Sequence, residues 1–467
     1  MTYRIHKFLL TLLVIGPLGI NAQAKSKSDD LQNLSDVSSI RDLLSKSGNR
    51  PLHILYVHGI GATGTDGSKN FRRSICHVLR DCTSPKSPVA RDYAETGLFD
   101  PQADPPAFEY MGQPVWANQE EWRASAPFVD HYVLQRKGAG PIVVDEINWW
   151  PLVFPLKCRQ IIRDETGLAG PDSALLDVCS RTRVKDDDHD GRFRSFPWIH
   201  PEDAKQLKSL PAKGALFNRK LKNNILDWGF SDAVMAVGSM HNIFLEGIRQ
   251  LFLDSARFQA DGSRTNDWEQ QLKNPHGIDR DFIVVSHSLG SYLVFSTLNL
   301  DGRGSALQES QYLAETEYDA AQYIFQRTSL VYFFANQVPL LELADLGEYG
   351  AKPAKPARPD ATQGLSDQLS KWSKLRMSLG GSQLIAWSDP SDLLTFHVPQ
   401  IKGLVVKNFD VRNTKWHWLI AGPESVHNNY DRNKSILSVM FGPKPTAKSS
   451  GNSSGGTAEN AMTKHPE

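Results

Sequence analysis

A chain of 467 residues is long enough for one large domain with insertions or for two, so core size does not limit its stability. Hydrophobic residues make up 40% and charged residues 22%, and the 27 prolines and 34 glycines are scattered without period, which excludes collagen, coiled coil and wholesale disorder. Lys plus Arg and Asp plus Glu number 52 each, so no global basic field draws the chain to nucleic acid or to an anionic bilayer.

The first residues bear on the compartment. Arg4 and Lys7 precede an almost wholly apolar run, Phe8 to Ile20, and Ala22-Gln23-Ala24 puts small residues at the two positions a signal peptidase inspects. The pattern predicts a signal peptide over 1–24, cleaved after Ala24, and an exported protein, periplasmic or secreted. The alternative is an uncleaved anchor, but the apolar run is short for a bilayer and broken by Gly16-Pro17. No other segment approaches spanning length, so no stable membrane span is expected after signal removal. Cys76, Cys82, Cys158 and Cys179 all follow the cleavage point, and an even count in an exported chain predicts disulfides. Of three possible pairings, Cys76 with Cys82 and Cys158 with Cys179 closes two local loops; the alternative is four reduced, buried thiols. The sequence contains no Cys-x-x-Cys spacing of the kind zinc sites use.

In chain order, residues 25–50 form a polar lead-in with an amphipathic stretch near Ile40 to Leu44. Leu52 to Gly59 reads as a strand buried on both faces, followed by a Gly/Thr-rich loop over Ile60 to Gly67. Phe71, Ile75, Val78 and Leu79 then show helical spacing over Phe71 to Arg80. Residues 84–140 are rich in Pro, Ala and aromatics with no dominant period, which predicts an insertion over a site rather than a free loop. Its apolar groups, Phe99, Phe108, Tyr110, Met111, Val115, Trp116, Trp122, Phe128 and Tyr132, are expected to pack as a cap, the alternative being a peripheral subdomain. Pro141 to Asn148 is a second buried strand, with a loop and helix entry after it. A further insertion spans about 165–225. Within it Asp186-Asp187-Asp188-His189-Asp190-Gly191 begins like a calcium loop, but Pro197 stands where the bidentate Glu belongs, which favours a solvated acidic loop. Phe230 to Leu253 reads as one long helical region with Ser231-Asp232 as its start. Strands are expected at Asp281 to Val285, Leu330 to Ala335, Gln383 to Trp387 and Lys415 to Ile420, and helices at Ser291 to Leu298 and Ser435 to Met440. Gly350 to Gln363 reads as an exposed Pro/Ala/Lys loop and 443–467 as a disordered tail. Strands alternating with helix-length segments predict an α/β fold over 51–442, its mostly parallel sheet covered on both faces.

The most specific chemical signal is Ser286-His287-Ser288-Leu289-Gly290. A nucleophilic serine works best on a sharp turn from strand to helix, which exposes the hydroxyl at the sheet's carboxyl edge and aims the helix N-terminus at a developing oxyanion. Such a turn crowds the backbone two residues either side of the nucleophile, where Ser286 and Gly290 are small. Ser286 stands where the usual motif has Gly. The second signal is Val57-His58-Gly59-Ile60-Gly61, a glycine-bearing loop after an early strand. It would supply one oxyanion donor, at Ile60 with Gly61 next, while Leu289 supplies the other. His58 reads as a packing residue.

On these two motifs, with an acid and a His following in the order Ser, Asp, His, the sequence resembles the α/β-hydrolase superfamily and its lipase and esterase-like members. The resemblance implies an eight-stranded, mostly parallel sheet, acyl transfer to water and no cofactor. The acid should sit just past a strand, and Asp392 in Trp387-Ser388-Asp389-Pro390-Ser391-Asp392 is preferred over Asp389, which suits a turn cap, and over Asp345. The base should lie near the C-terminus, where His427 is preferred over His417 and His397. The expectation is a serine hydrolase acting through Ser288, His427 and Asp392 on a small-molecule or lipid ester. Its rivals are a catalytically silent binding protein of the same fold, or an acyltransferase or amidase with the same triad. Trp149-Trp150, Trp416-His417-Trp418 and Tyr332-Phe333-Phe334 read as core and rim packing, and Asn336-Gln337 would bond either substrate or loop backbone.

Overall fold

In the computed structural model the described residues are 38–59, 67–94, 109–110, 113–114, 126–153, 230–238, 240–273, 281–298, 315–342, 382–392, 394–400, 404–413 and 423–442. Apolar runs of strand length build the centre: β1 (Leu52–Val57) is buried at every position and hydrogen-bonds in parallel to β4 (Ile142–Asn148) on one side and β5 (Phe282–His287) on the other. Beyond β5 lie β6 (Thr328–Phe334), β7 (Gln383–Ser388) and β8 (Val405–Asp410), all parallel. Beyond β4 come β3 (Phe128–Leu134) and β2 (Ala90–Tyr93), each antiparallel to its neighbour. The result is an eight-stranded, mostly parallel mixed sheet of order β8-β7-β6-β5-β1-β4-β3-β2. A two-stranded antiparallel pair, Glu109–Tyr110 with Gln113–Pro114, stands apart from it.

Helices cover both faces, as parallel strands require. On the face of Leu55 and Val57, α4 (His241–Arg257), α5 (Asp267–Lys273), α6 (Leu289–Leu298) and α7 (Glu315–Gln326) share one apolar cluster with Val284, Val331, Phe333 and Leu384. Successive strand residues point to opposite faces, and Tyr56 stacks on Phe71 of α2 (Lys69–Leu79). Helix α1 (Ile40–Ser47) packs on β1, and α10 (Lys434–Phe441) contacts both α1 and α2. Ser39 caps α1 reciprocally with Asp42, a capping box. Cys76 in the last turn of α2 is bonded to Cys82, and among the described residues no cysteine is free. No helix among the described residues is long and apolar enough to cross a membrane.

Two expectations are corrected, and one strand was not expected. The stretch 84–140 is not one insertion: β2 and β3 are strands of the central sheet, and Phe128 and Tyr132 are buried in β3 rather than available to a cap. Their strand character is hidden because the sheet here buries charges in pairs, Arg91 on Asp130 at 2.6 and 2.8 Å and His131 on Asp145 at 2.6 Å. The helical region 230–253 is two helices, α3 (Ser231–Val237) and α4, separated at Gly238, which has left the helical conformation at φ −92°, ψ −150°. The strand after β7 is β8, a partly exposed polar segment that lacks an apolar run. The expected strand at 415–420 lies outside the described residues, as do the signal segment, the remaining cap residues' side chains, the insertion at 165–225, Cys158, Cys179, Asp345, the loop at 350–363 and the tail.

Candidate active site

The site is assembled where β5 turns into α6. Ser288 follows the strand at φ 55°, the left-handed region, and its N–H donates to the Phe334 carbonyl at 2.8 Å at the end of β6. A non-glycine residue held there costs on the order of 1 kcal/mol and persists only where its surroundings over-determine it. Two glycines supply that surrounding. A Cβ on Gly290 would lie 2.5 Å from the Val57 carbonyl oxygen and 2.6 Å from that of His58; one on Gly59 would lie 2.7 Å from Ser288 Cβ. The end of β1 is thus pressed against the turn through positions that admit no side chain. Ser286 is tolerated because it is an ordinary strand residue paired with Val57, without positive φ, and its hydroxyl bonds that of Ser291 at 3.0 Å.

Three side chains named from the sequence meet at this turn. His427, in the short helix α9 (Pro423–Asn428), brings Nε2 to 2.7 Å from Ser288 Oγ. Its Nδ1 lies 2.9 and 3.1 Å from the two carboxylate oxygens of Asp392. An ionised carboxylate only accepts, so the proton sits on Nδ1 and Nε2 accepts from the serine hydroxyl. All three residues are buried. Burial works to raise the Asp392 carboxyl, but the hydrogen bond and charge of His427, the Leu394 amide and the Tyr430 hydroxyl outweigh it and hold the group below its ordinary value. Leu289 opens α6, and its N–H is one of the amides a helix start leaves without an intrahelical partner. Ile60, the other expected oxyanion donor, lies outside the described residues.

The remaining candidates are placed elsewhere. Asp389 accepts from the Ser391 and Asn413 amides at 2.8 and 2.6 Å, binding turn to loop, and makes no contact with His427. His397 pairs with Asp410 at 2.8 Å on the surface, and His417 lies outside the described residues. His58 is buried; its Nδ1–H donates to the Gly59 carbonyl at 3.0 Å and its ring stacks on Trp149. Burial, against that hydrogen bond, pushes it down to about 4, so it is neutral. Asn336 spends its side chain on backbone, accepting at 3.1 Å from the N–H of Val338, which opens α8 (Val338–Glu342), and donating to Phe396 O at 3.1 Å.

Sequence reasoning missed Tyr430. Its hydroxyl accepts the Asp389 N–H at 2.8 Å and donates to Asp392 Oδ2 at 3.3 Å. A lone Tyr in a polar segment carries no motif; its one signal is the position three residues after His427. Asn413, which joins Asp389 to the Val426 carbonyl at 3.1 Å, was also unmarked. Among the described residues no group of three or more His, Cys, Asp or Glu is placed to hold a metal ion. Comparison of the chain with protein families, with curated proteins and with solved structures finds no match.

Proposed function

We propose that the chain is an exported serine hydrolase of the α/β-hydrolase type that cleaves carboxylic esters through an acyl-enzyme. The observation that carries this is the continuous hydrogen-bonded line from Ser288 Oγ through His427 to Asp392, with the serine on a strained strand-to-helix turn. His427 Nε2 takes the Ser288 proton as Oγ attacks the ester carbonyl, and the Leu289 N–H, with Ile60 as its expected counterpart, faces the oxyanion. Collapse of that intermediate breaks the ester C–O bond, and His427 returns the proton to the leaving alcohol. Water repeats the sequence and releases the acid. Asp392 holds the imidazole in the Nδ1–H tautomer throughout.

An alkyl fluorophosphonate should label the full-length protein at Ser288, and p-nitrophenyl acetate or butyrate should be hydrolysed. Ser288→Ala should abolish both. Undiminished labelling of the variant would remove the assignment, and a wild type that neither labels nor turns over would return the silent binding protein as the better description.

A further inference from the structure

The last four carbonyls of a helix have no intrahelical partner, and His427 sits in the last turn of the six-residue α9. Its own carbonyl oxygen is met at 2.7 Å by Nε2 of His287, the residue immediately before the nucleophile. A carbonyl only accepts, so His287 carries its proton on Nε2. We propose that His287 is a positioning residue: its Nε2–H ties the main chain of the general base to the nucleophile turn and so sets the His427 to Ser288 distance on which proton transfer depends. The proposal rests on the serine-hydrolase function.

The surroundings leave the His287 ring little freedom. Its centroid lies 5.1 Å from that of His427 and 6.0 Å from that of Tyr430, edge-on to both. On another side a Cβ at Gly59 would lie 2.8 Å from Nδ1, so the chain leaving β1 lies against it. His287 thus links three parts of the site: the early loop, the nucleophile turn and the base-bearing helix. The titratable groups that act on it are His427, Asp392 and His58; burial first, then His427, push it down to about 3, and it stays neutral. Neutrality matters to the step, since a second cation at this range would oppose the imidazolium that His427 becomes.

Two variants and one spectroscopic measurement test it. His287→Phe keeps a ring and removes the donor; His287→Gln restores an N–H of similar reach. Leaving the carbonyl unsatisfied and the base loose should lower kcat/KM for p-nitrophenyl butyrate, and the fluorophosphonate labelling rate, by roughly ten- to a hundredfold in the Phe variant. KM should change little, and the Gln variant should recover most of the loss. Independently of activity, ¹⁵N-histidine spectra of the wild type should show His287 as the neutral Nε2–H tautomer from pH 5 to 8. A Phe variant that labels at the wild-type rate would overturn the positioning role while leaving the hydrolase intact, as would an Nδ1–H tautomer or a titration near pH 6.5. A wild type that does not label at all would overturn the hydrolase and the positioning role together.

Discussion

Asp389 and Asp392 stand three residues apart on one turn and do different work because they face different donors. Asp389 receives two backbone amides, and Asn413 carries its hold onward to Val426, next to His427. Asp392 receives the imidazole N–H and the Tyr430 hydroxyl. Asp392→Asn should therefore lower kcat by about 10⁴-fold through the wrong histidine tautomer. Asp389→Asn, which keeps one acceptor oxygen, should act mainly on thermal stability, at about 1 kcal/mol. Tyr430→Phe lies between them. It removes a hydrogen bond to a charged group and leaves the Asp389 amide unpartnered, so kcat/KM should fall roughly tenfold to a hundredfold with a lowered Tm. Steady-state kinetics and thermal unfolding on the three variants check this ordering; an Asp389→Asn kcat as low as that of Asp392→Asn would show that the acid had been misassigned.

At the scale of elements, legibility followed burial and charge. β1, β5, β6 and β7 were readable because each is a largely apolar run, the mark of a strand covered on both faces, and β4 because Ile142-Val143-Val144 opens it ahead of its buried Asp145 and Glu146. β2 and β3 were not, because Arg91, Asp92, Asp130 and His131 break any apolar pattern and become tolerable in a sheet only through partners on neighbouring strands. The Ser288 turn was legible from Ser286 to Gly290 because close backbone approach restricts residue size, whereas Tyr430 and Asn413 act through long-range hydrogen bonds that leave no motif. The end of α2 lies between the two cases. Its bond from Cys76 to Cys82 was expected from spacing, and the Cys82 segment is fixed further by a bridge to Arg136 and by the Arg136–Asp81 ion pair at 2.7 Å. Closing so short a loop stabilises by about 2 kcal/mol in the chain-entropy account. Cys76→Ser with Cys82→Ser should lower Tm accordingly, while fluorophosphonate labelling at 25 °C persists; an unchanged Tm would show that the bridge adds nothing to the hydrogen bonds already there.

Across the whole molecule, the parallel half of the sheet is joined to its antiparallel edge by a line of charge. Asp145 on β4 accepts from His131 Nδ1 at 2.6 Å and faces His53 of β1 at 3.8 Å. His131 Nε2 reaches Asp92 of β2 at 3.1 Å, and Arg264 meets the same carboxylate at 2.6 Å. Phe258 stacks on His131 with centroids 3.9 Å apart and Arg264 lies over the same Phe258 ring, so the His131–Asp145 end of the line is buried under apolar surface while Asp92 and Arg264 are partly exposed. Both ring nitrogens of His131 point at carboxylates, which only accept, so the ring holds both protons and is a cation. Burial opposes that charge, but Asp145 and then Asp92 outweigh it and push the group up to about 9. In the unfolded chain an ordinary histidine titrates near 6.5. The folded value is the higher one, so the stabilisation is complete below about pH 6.5 and is lost as pH rises through about 9. Tm should therefore decline between pH 6.5 and 9.5, and NMR should place the His131 midpoint near the upper end of that window. His131→Gln, which can donate to only one carboxylate and cannot titrate, should start from a lower Tm and show a flatter dependence over the same range. A wild-type profile no steeper than that of the variant would mean that the imidazole is neutral at pH 7 and that one of the two carboxylates holds the proton instead.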